Sequence, residues 1–327
     1  MIPIQIKDTE KAALQILKPA IEHALYEANI ELEIPTEYTG VKGFYDHNLK
    51  IKKLAYAAIE EFELPLIRTW YKYGQYEPYE ELRPKRMEVG ANAEDAYIPS
   101  RLKKDITQTD IKDFLIDRDL ISMFEQDIFS FLEENYREWD PQPYTNAYIY
   151  STEVIELLEI INSVDRDVFL SEIGDINSNF TQASIDLRYE LDSIETFDDE
   201  VAEHAKDYLK SFENALTKVD ETSEISNEGF ETIRESRRTY HEYVLPWLAL
   251  KISLHKARGP ENSIDDFSAS GQNILRNDRP GYITYLKGWK SQLDETDLSL
   301  SFSHYQSMSK AAPEAIQMLQ RAAIDDR

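Results

Sequence analysis

The chain has 327 residues, 42% of them hydrophobic, with 62 acidic against 36 basic side chains and a net charge of −26. That much apolar content excludes a disordered chain, and the acidic excess argues against broad contact with phosphate backbones, which needs clustered Lys and Arg. With no cysteine, disulfides, thiolate zinc sites and cysteine nucleophiles are excluded together.

Residues 8 to 30 place Leu14, Leu17, Ile21 and Leu25 three to four positions apart, which predicts an amphipathic helix capped by Asp8 or Thr9. Pro19 inside that pattern is expected to kink it or move its start. EIPTEYTGVKG is turn chemistry. Asp46 then opens a second helix with Leu49, Ile51, Leu54, Ala58 and Phe62 as its apolar positions, and Pro65 ends it. From Arg68 to Tyr73, Trp70 and Lys72 alternate with Tyr71 and Tyr73, the period of a half-buried strand, until Gly74 breaks it. Residues 83 to 108 hold Pro84, Pro99 and Gly90 without a steady period and are expected to form a long loop.

The stretch KIKKLAYAAIEEFELPLIRTWYKYGQY, residues 50–76, resembles small winged-helix-like prokaryotic domains of the Panacea antitoxin type. Their pattern is a Lys-Leu-x-Tyr helix, then Pro-Leu, then an aromatic strand ending in Tyr-Gly-Pro-Tyr. The matching positions are Lys53, Leu54, Tyr56, Pro65, Leu66, Arg68, Trp70, Tyr73, Gly74 and Tyr76, while Gln75 stands where the pattern has proline. The resemblance implies a regulatory, partner-neutralising module and contributes no catalytic residues. From the residues themselves, the aromatics read either as core or as a partner face, with Trp70, Tyr71 and Tyr76 as the candidates for contact.

Thr109 to Tyr136 returns to a helical pattern through Ile111, Phe114, Leu115, Ile121, Phe124, Ile128, Phe131 and Leu132. Ile161 and Val168 lead into Phe169, Ile173, Ile176, Phe180, Ala183, Leu187 and Ile194. Val201, Ala205, Tyr208, Phe212, Ala215 and Val219 then repeat at alternating fours and threes, the seam pattern of a coiled coil. A polar turn at 220–228 precedes a third long helix from about Phe230 to Arg258, stopped by Gly259-Pro260. The Ser-rich remainder reads as shorter-ranged, with a last helix at PEAIQMLQRAAI.

The expected fold is therefore mainly α. A winged-helix-like N-terminal module with a short β element and its connecting loop spans 1–108, a bundle or hairpin of long antiparallel helices spans 109–258, and a helical and loop region spans 259–327. YVLPWLALKI, interrupted by Pro246 and Lys251, is the longest apolar run, too short for a membrane span. MIPIQIKDTEK has no basic segment followed by an apolar run, so a cytoplasmic protein is expected. Acid spread this evenly resembles the composition of haloarchaeal proteins, whose repulsion is tolerated where the Debye length is about 3 Å, near 1 M salt.

Chemistry has fewer candidates. Arg234, Arg237, Arg238 and His241 in RESRRTYHEY fall about one turn apart, so a helix would present a cationic stripe able to hold a phosphate or carboxylate. The alternative is an ion-pair ladder with Glu231, Glu235 and Glu242. Arg234 and His241 also resemble the Arg-x(4–6)-His signature of HEPN ribonucleases, which implies attack of a 2′-hydroxyl assisted by both residues. His204 with Glu200 and Asp207 shares a helical face, yet no Glu-x-x-His or His-Glu-x-x-His motif supports a metal site, and no glycine-rich phosphate loop is present. No cofactor is expected. The function these features favour is a regulatory or protein-interaction protein, antitoxin-like or adaptor in role, with a protein partner and a possible homodimer through the long helices. The alternatives are a HEPN-type ribonuclease and a DNA-binding regulator using the local basic segments RPKR and RLKK.

Overall fold

The chain is mainly helical. The computed structural model describes residues 7–28, 30, 42–71, 74–76, 97–98, 106–138, 143–296 and 298. It begins with α1 (Asp8–Glu27), α2 (Lys42–Glu61), the strands β1 (Thr69–Tyr71) and β2 (Gly74–Tyr76), and a second strand pair, β3 (Tyr97–Ile98) and β4 (Ile106–Thr107). The helices α3 (Gln108–Asp117), α4 (Ile128–Glu138), α5 (Thr145–Ser163), α6 (Arg166–Ser193) and α7 (Glu200–Thr222) follow. The last are α8 (Asn227–Thr239), α9 (Leu245–Lys256) and α10 (Glu261–Glu295).

α1 buries Ala13, Leu14, Leu17, Ala20, Ile21, Ala24 and Leu25, the stripe its spacing predicts. Pro19 removes one i→i−4 bond without ending the helix. The cap is neither Asp8 nor Thr9 but Lys7, whose N–H donates to the buried Glu10 carboxylate at 2.8 Å. α2 departs further from an amphipathic helix, since every residue from 50 to 59 is buried, including Lys50, Lys52 and Lys53. Lys50 Nζ donates to the Gln126 carbonyl at 2.6 Å, near the end of the 3₁₀ turn Leu120–Glu125. Lys53 Nζ lies 5.4 Å from the Tyr136 ring centroid. Burial pushes the Lys53 amine well below the usual lysine value. A ring face favours an ammonium by about 0.5–2 kcal/mol, less than the several kcal/mol of desolvating the ion, so burial wins.

The single helix expected over 109–136 is instead two helices and a 3₁₀ turn. Asp119 adopts a left-handed conformation (φ 54°), which ends α3. The Asp127 carboxylate accepts from the Phe129 and Ser130 N–H groups and starts α4 anew. The strand reading of residues 68–73 corresponds to β1, which pairs antiparallel with β2 in the register Thr69↔Tyr76, Trp70↔Gln75, Tyr71↔Gly74. Within the long loop expected over 83–108, β3 and β4 pair Tyr97 with Thr107 and Ile98 with Ile106.

α6 and α7 form an antiparallel hairpin. Asn177 bonds to Asp220 and Thr217, Arg188 to Glu213, and Lys206 to Asp192, so positions advance along one helix as they retreat along the other. Phe169, Ile173, Ile176, Phe180, Ala183 and Leu187 face Val201, Ala205, Tyr208, Phe212, Ala215 and Val219, and all are buried. Val168, expected to lead into that seam, is 39% exposed. The turns are set by Asp165 and Asp199, whose carboxylates each accept from two N–H groups of the next helix. α5, buried through Ala147, Val154, Ile155, Leu158 and Ile161, lies against α4, α6 and α8.

The third long helix runs from residue 227 to 256 but contains a π turn, Tyr240–Val244. Pro246 explains it. Proline cannot donate an N–H, and its ring crowds the carbonyl four residues back, so the wider i→i−5 turn relieves the clash. α10 corrects the expectation of a shorter-ranged C-terminal region: it is the longest described helix, 35 residues with Pro280 inside. It packs Trp289 on Tyr208 with ring centroids 4.4 Å apart. There the Tyr208 hydroxyl donates to the Ser236 carbonyl at 2.7 Å, and the Tyr240 and Ser151 hydroxyls bond at 2.9 Å. No described helix is long and apolar enough to cross a membrane. The last predicted helix, PEAIQMLQRAAI, lies outside the described residues.

Candidate functional site

The cationic stripe forms on α8 and the π turn, and carboxylates hold it. Arg237 Nε donates to Glu159 on α5 at 2.7 Å, and His241 Nε2 lies 3.6 Å from the same carboxylate oxygen. Arg238 is shared by Glu242 at 3.1 Å and Glu235 at 3.4 Å. Arg234 reaches Glu231 at 3.3 Å, donates to the Asn162 carbonyl at 3.2 Å and lies over the Phe230 ring. Burial works to raise the Glu159 carboxyl, but the hydrogen bonds and charges of His241 and Arg237 outweigh it and hold the group below the usual glutamate value. Arg234, Arg237 and His241 therefore all reach the C-terminal half of α5.

The remaining sequence candidates are dispersed. His204 Nε2 is 4.0 Å from Glu200, which also takes Arg279 at 3.0 Å, while Asp207 is engaged by Lys290 at 3.6 Å. Among the described residues, no group of His, Asp and Glu is arranged to hold a metal ion. Trp70, Tyr71 and Tyr76 lie in the paired strands β1 and β2, with side chains outside what the structure describes. The basic segments at 83–86 and 101–104 also lie outside the described residues.

The site that sequence reasoning missed sits where the end of α2, the entry to β1 and the α9–α10 junction meet. Arg68 and Arg258 pair through their backbones, N–H to carbonyl at 2.8 and 2.9 Å, an isolated antiparallel bridge. Above it, Glu60 accepts from both guanidinium groups, from Arg68 at 2.6 Å and from Arg258 at 3.2 Å. Gly259 makes this closeness possible. A Cβ there would fall 3.0 Å from the Leu66 carbonyl oxygen and from Ile67 Cα, and its φ of +152° is one that L side chains rarely adopt. The result is a cleft of about 160 Å³, lined by Glu60, Glu63, Arg68, Arg258, Gly259 and Pro260 among others. Arg68 Nε is itself closed off from solvent and has no acceptor among the described residues. Glu60 and Arg258 are 198 positions apart, so no local spacing signals the pair.

The architecture and these sites define a mainly helical protein whose predicted arginine stripe is held by carboxylates and whose cleft joins its N-terminal helices to the later ones. The chain belongs to the family described as a domain of unknown function, DUF8098, whose model matches residues 77–325. Arg258 and Gly259 fall inside that span, and Glu60 and Arg68 precede it. No curated protein and no solved structure matches the chain.

Proposed function

We propose that the chain is a regulatory or adaptor protein that acts by binding another protein. The observation that carries this reading is on α6, where Ile185 and Tyr189, one turn apart, are 46% and 70% exposed. Asp186, Arg188, Glu190 and Asp192 surround them in sequence. Scattered apolar residues on a surface need no explanation, but a tyrosine and an isoleucine adjacent on a charged helix make a compact anchor of the kind that dominates interface energies. The β1–β2 hairpin with Trp70, Tyr71 and Tyr76 is the second contact in this reading, and a winged-helix-like, antitoxin-like role in a halophilic cytoplasm belongs to the same proposal. The long helices also offer a face to a second copy of the chain.

A photocrosslinking amino acid placed at position 189, with the product identified by mass spectrometry, tests the reading. One defined partner, lost with Ile185→Asp and with Trp70→Ala while circular dichroism is unchanged, is the expected result. Crosslinks that persist unchanged in both variants, or none at all, sink it. Sedimentation velocity separates a second copy from a different protein.

A second reading, RNA cleavage by Arg234 and His241, draws support from the anchoring of both side chains on one stretch of α5. Total RNA incubated with the protein and with a His241→Ala variant decides it. Equal cleavage, or no cleavage by either, removes this reading.

A further inference from the structure

We propose that the cleft at the α2–β1–α9–α10 junction binds a small zwitterion, a molecule carrying a carboxylate and an ammonium a few atoms apart, of which a free α-amino acid is the simplest form. The cleft's volume, about 160 Å³, is well above the ~10–15 Å³ that a single water requires. Its walls offer both signs of charge. The Arg68 side chain is 12% exposed, and its Nε is buried without an acceptor even though its Nη1 is engaged by Glu60. Arg258 bonds Glu60 through Nη1 alone, and its side chain is 60% exposed, leaving the rest of its fork turned to solvent. Pro260 supplies no side-chain cap to α10, so the positive end of that helix also borders the cleft. Glu63, held in a turn with φ 46°, lines the same space and has no cation within ion-pair distance among the described residues.

The lining charges decide between a plain anion and a zwitterion. Arg68 and Arg258 are balanced by Glu60 and Glu63, so the cleft has no net charge with which to draw a phosphate. A chain with net charge −26 repels a dianion at long range as well. A zwitterion meets no such repulsion: its carboxylate takes the open guanidinium donors, and its ammonium takes Glu63. The ligand would also tie α2 to the α9–α10 junction. This inference is independent of the partner-binding reading, and the assay below involves no protein partner.

The test is thermal unfolding of the full chain with each of the twenty free amino acids, their N-acetyl and amide derivatives, and inorganic phosphate. At least one free amino acid at about 10 mM should raise the Tm by about 2 °C or more, while its N-acetyl form, its amide and phosphate do not. Calorimetric titration with that amino acid should show a loss of about tenfold or more for Arg258→Ala and for Glu63→Gln. Both positions lie at the rim, so the unliganded Tm should change little in either variant. No shift from any amino acid, an acetylated or amidated form binding as well as the parent, phosphate acting alone, or unchanged affinity in both variants would each overturn the proposal.

Discussion

Glycines 259 and 288 should respond in opposite directions to the same substitution. At Gly259 the backbone lies at φ +152°, and holding an alanine there costs about 1–3 kcal/mol in conformation alone. The new Cβ would also meet the Leu66 oxygen and Ile67 Cα at 3.0 Å, backbone atoms that no rotamer change can move. Leu66 and Ile67 are 0% exposed, so the entry to β1 cannot retreat without uncovering them. Together these give an expected loss of about 2–4 kcal/mol for Gly259→Ala. Gly288 sits inside α10 with nothing within 4 Å of an added Cβ, so Gly288→Ala should gain about 0.5–1 kcal/mol from helix propensity. Urea denaturation of both variants beside the parent, followed by circular dichroism in one fixed salt, measures the two values. If Gly259→Ala proves as stable as Gly288→Ala, the junction is not closed in the way described.

Five further outcomes can be measured. Lys53→Met removes the burial penalty on the charged amine, so its Tm relative to the parent should be highest at low pH. Because the folded amine titrates well below its unfolded value, the burial penalty is full at low pH and fades as pH rises towards about 10.4, so the variant's advantage in Tm should shrink over that window. Glu159→Gln should cost about 1 kcal/mol at neutral pH by stranding Arg237 and His241. Since Glu159 titrates below its unfolded value, that contribution is complete above the ordinary glutamate range and is lost as pH falls through the folded value, so the two Tm curves should merge in acid. Tyr208→Phe should cost about 1 kcal/mol by removing the bond to the Ser236 carbonyl. In the parent, burial raises the hydroxyls of Tyr208 and Tyr240, so absorbance at 295 nm should show them ionising only as alkaline unfolding begins. Burial and neighbouring carboxylates, among them Asp186 and Glu133, raise Glu153. With a net charge of −26, helicity should fall at ~10 mM salt, where the Debye length is about 30 Å, and full retention there would remove the halophilic reading.

The sequence discloses the elements whose burial has a period. Phe169 to Leu187 and Val201 to Val219 face each other as their threes and fours require, because each helix of that hairpin keeps a wet side. α5 shows no such period: residues 147–149, 151, 152, 154 and 155 are all buried, and a helix covered on most sides has no stripe to read. α2 is concealed differently, since Lys50, Lys52 and Lys53 mimic a solvent face while buried. α10 was obscured by its serines, glycines and Pro280, with Phe267, Ile283, Leu286, Trp289 and Leu293 too sparse to stand out. Charge patterning raised the ion-pair ladder around Arg238 as an alternative to anion binding, but nothing local showed that Glu159 on another helix would gather Arg237 and His241. The cleft was illegible for the same reason, its two halves being joined only by tertiary contact.

That long-range junction bears on how the chain is made. Arg68 cannot find its backbone partner, nor Leu66 and Ile67 their cover at Gly259, until the ribosome has released residues close to 260. At about 5–20 residues per second, the 198 positions between Glu60 and Arg258 leave that apolar edge waiting for roughly 10–40 s. For that interval the entry to β1 is held only by contacts within the earlier part of the chain, and the junction closes late in synthesis.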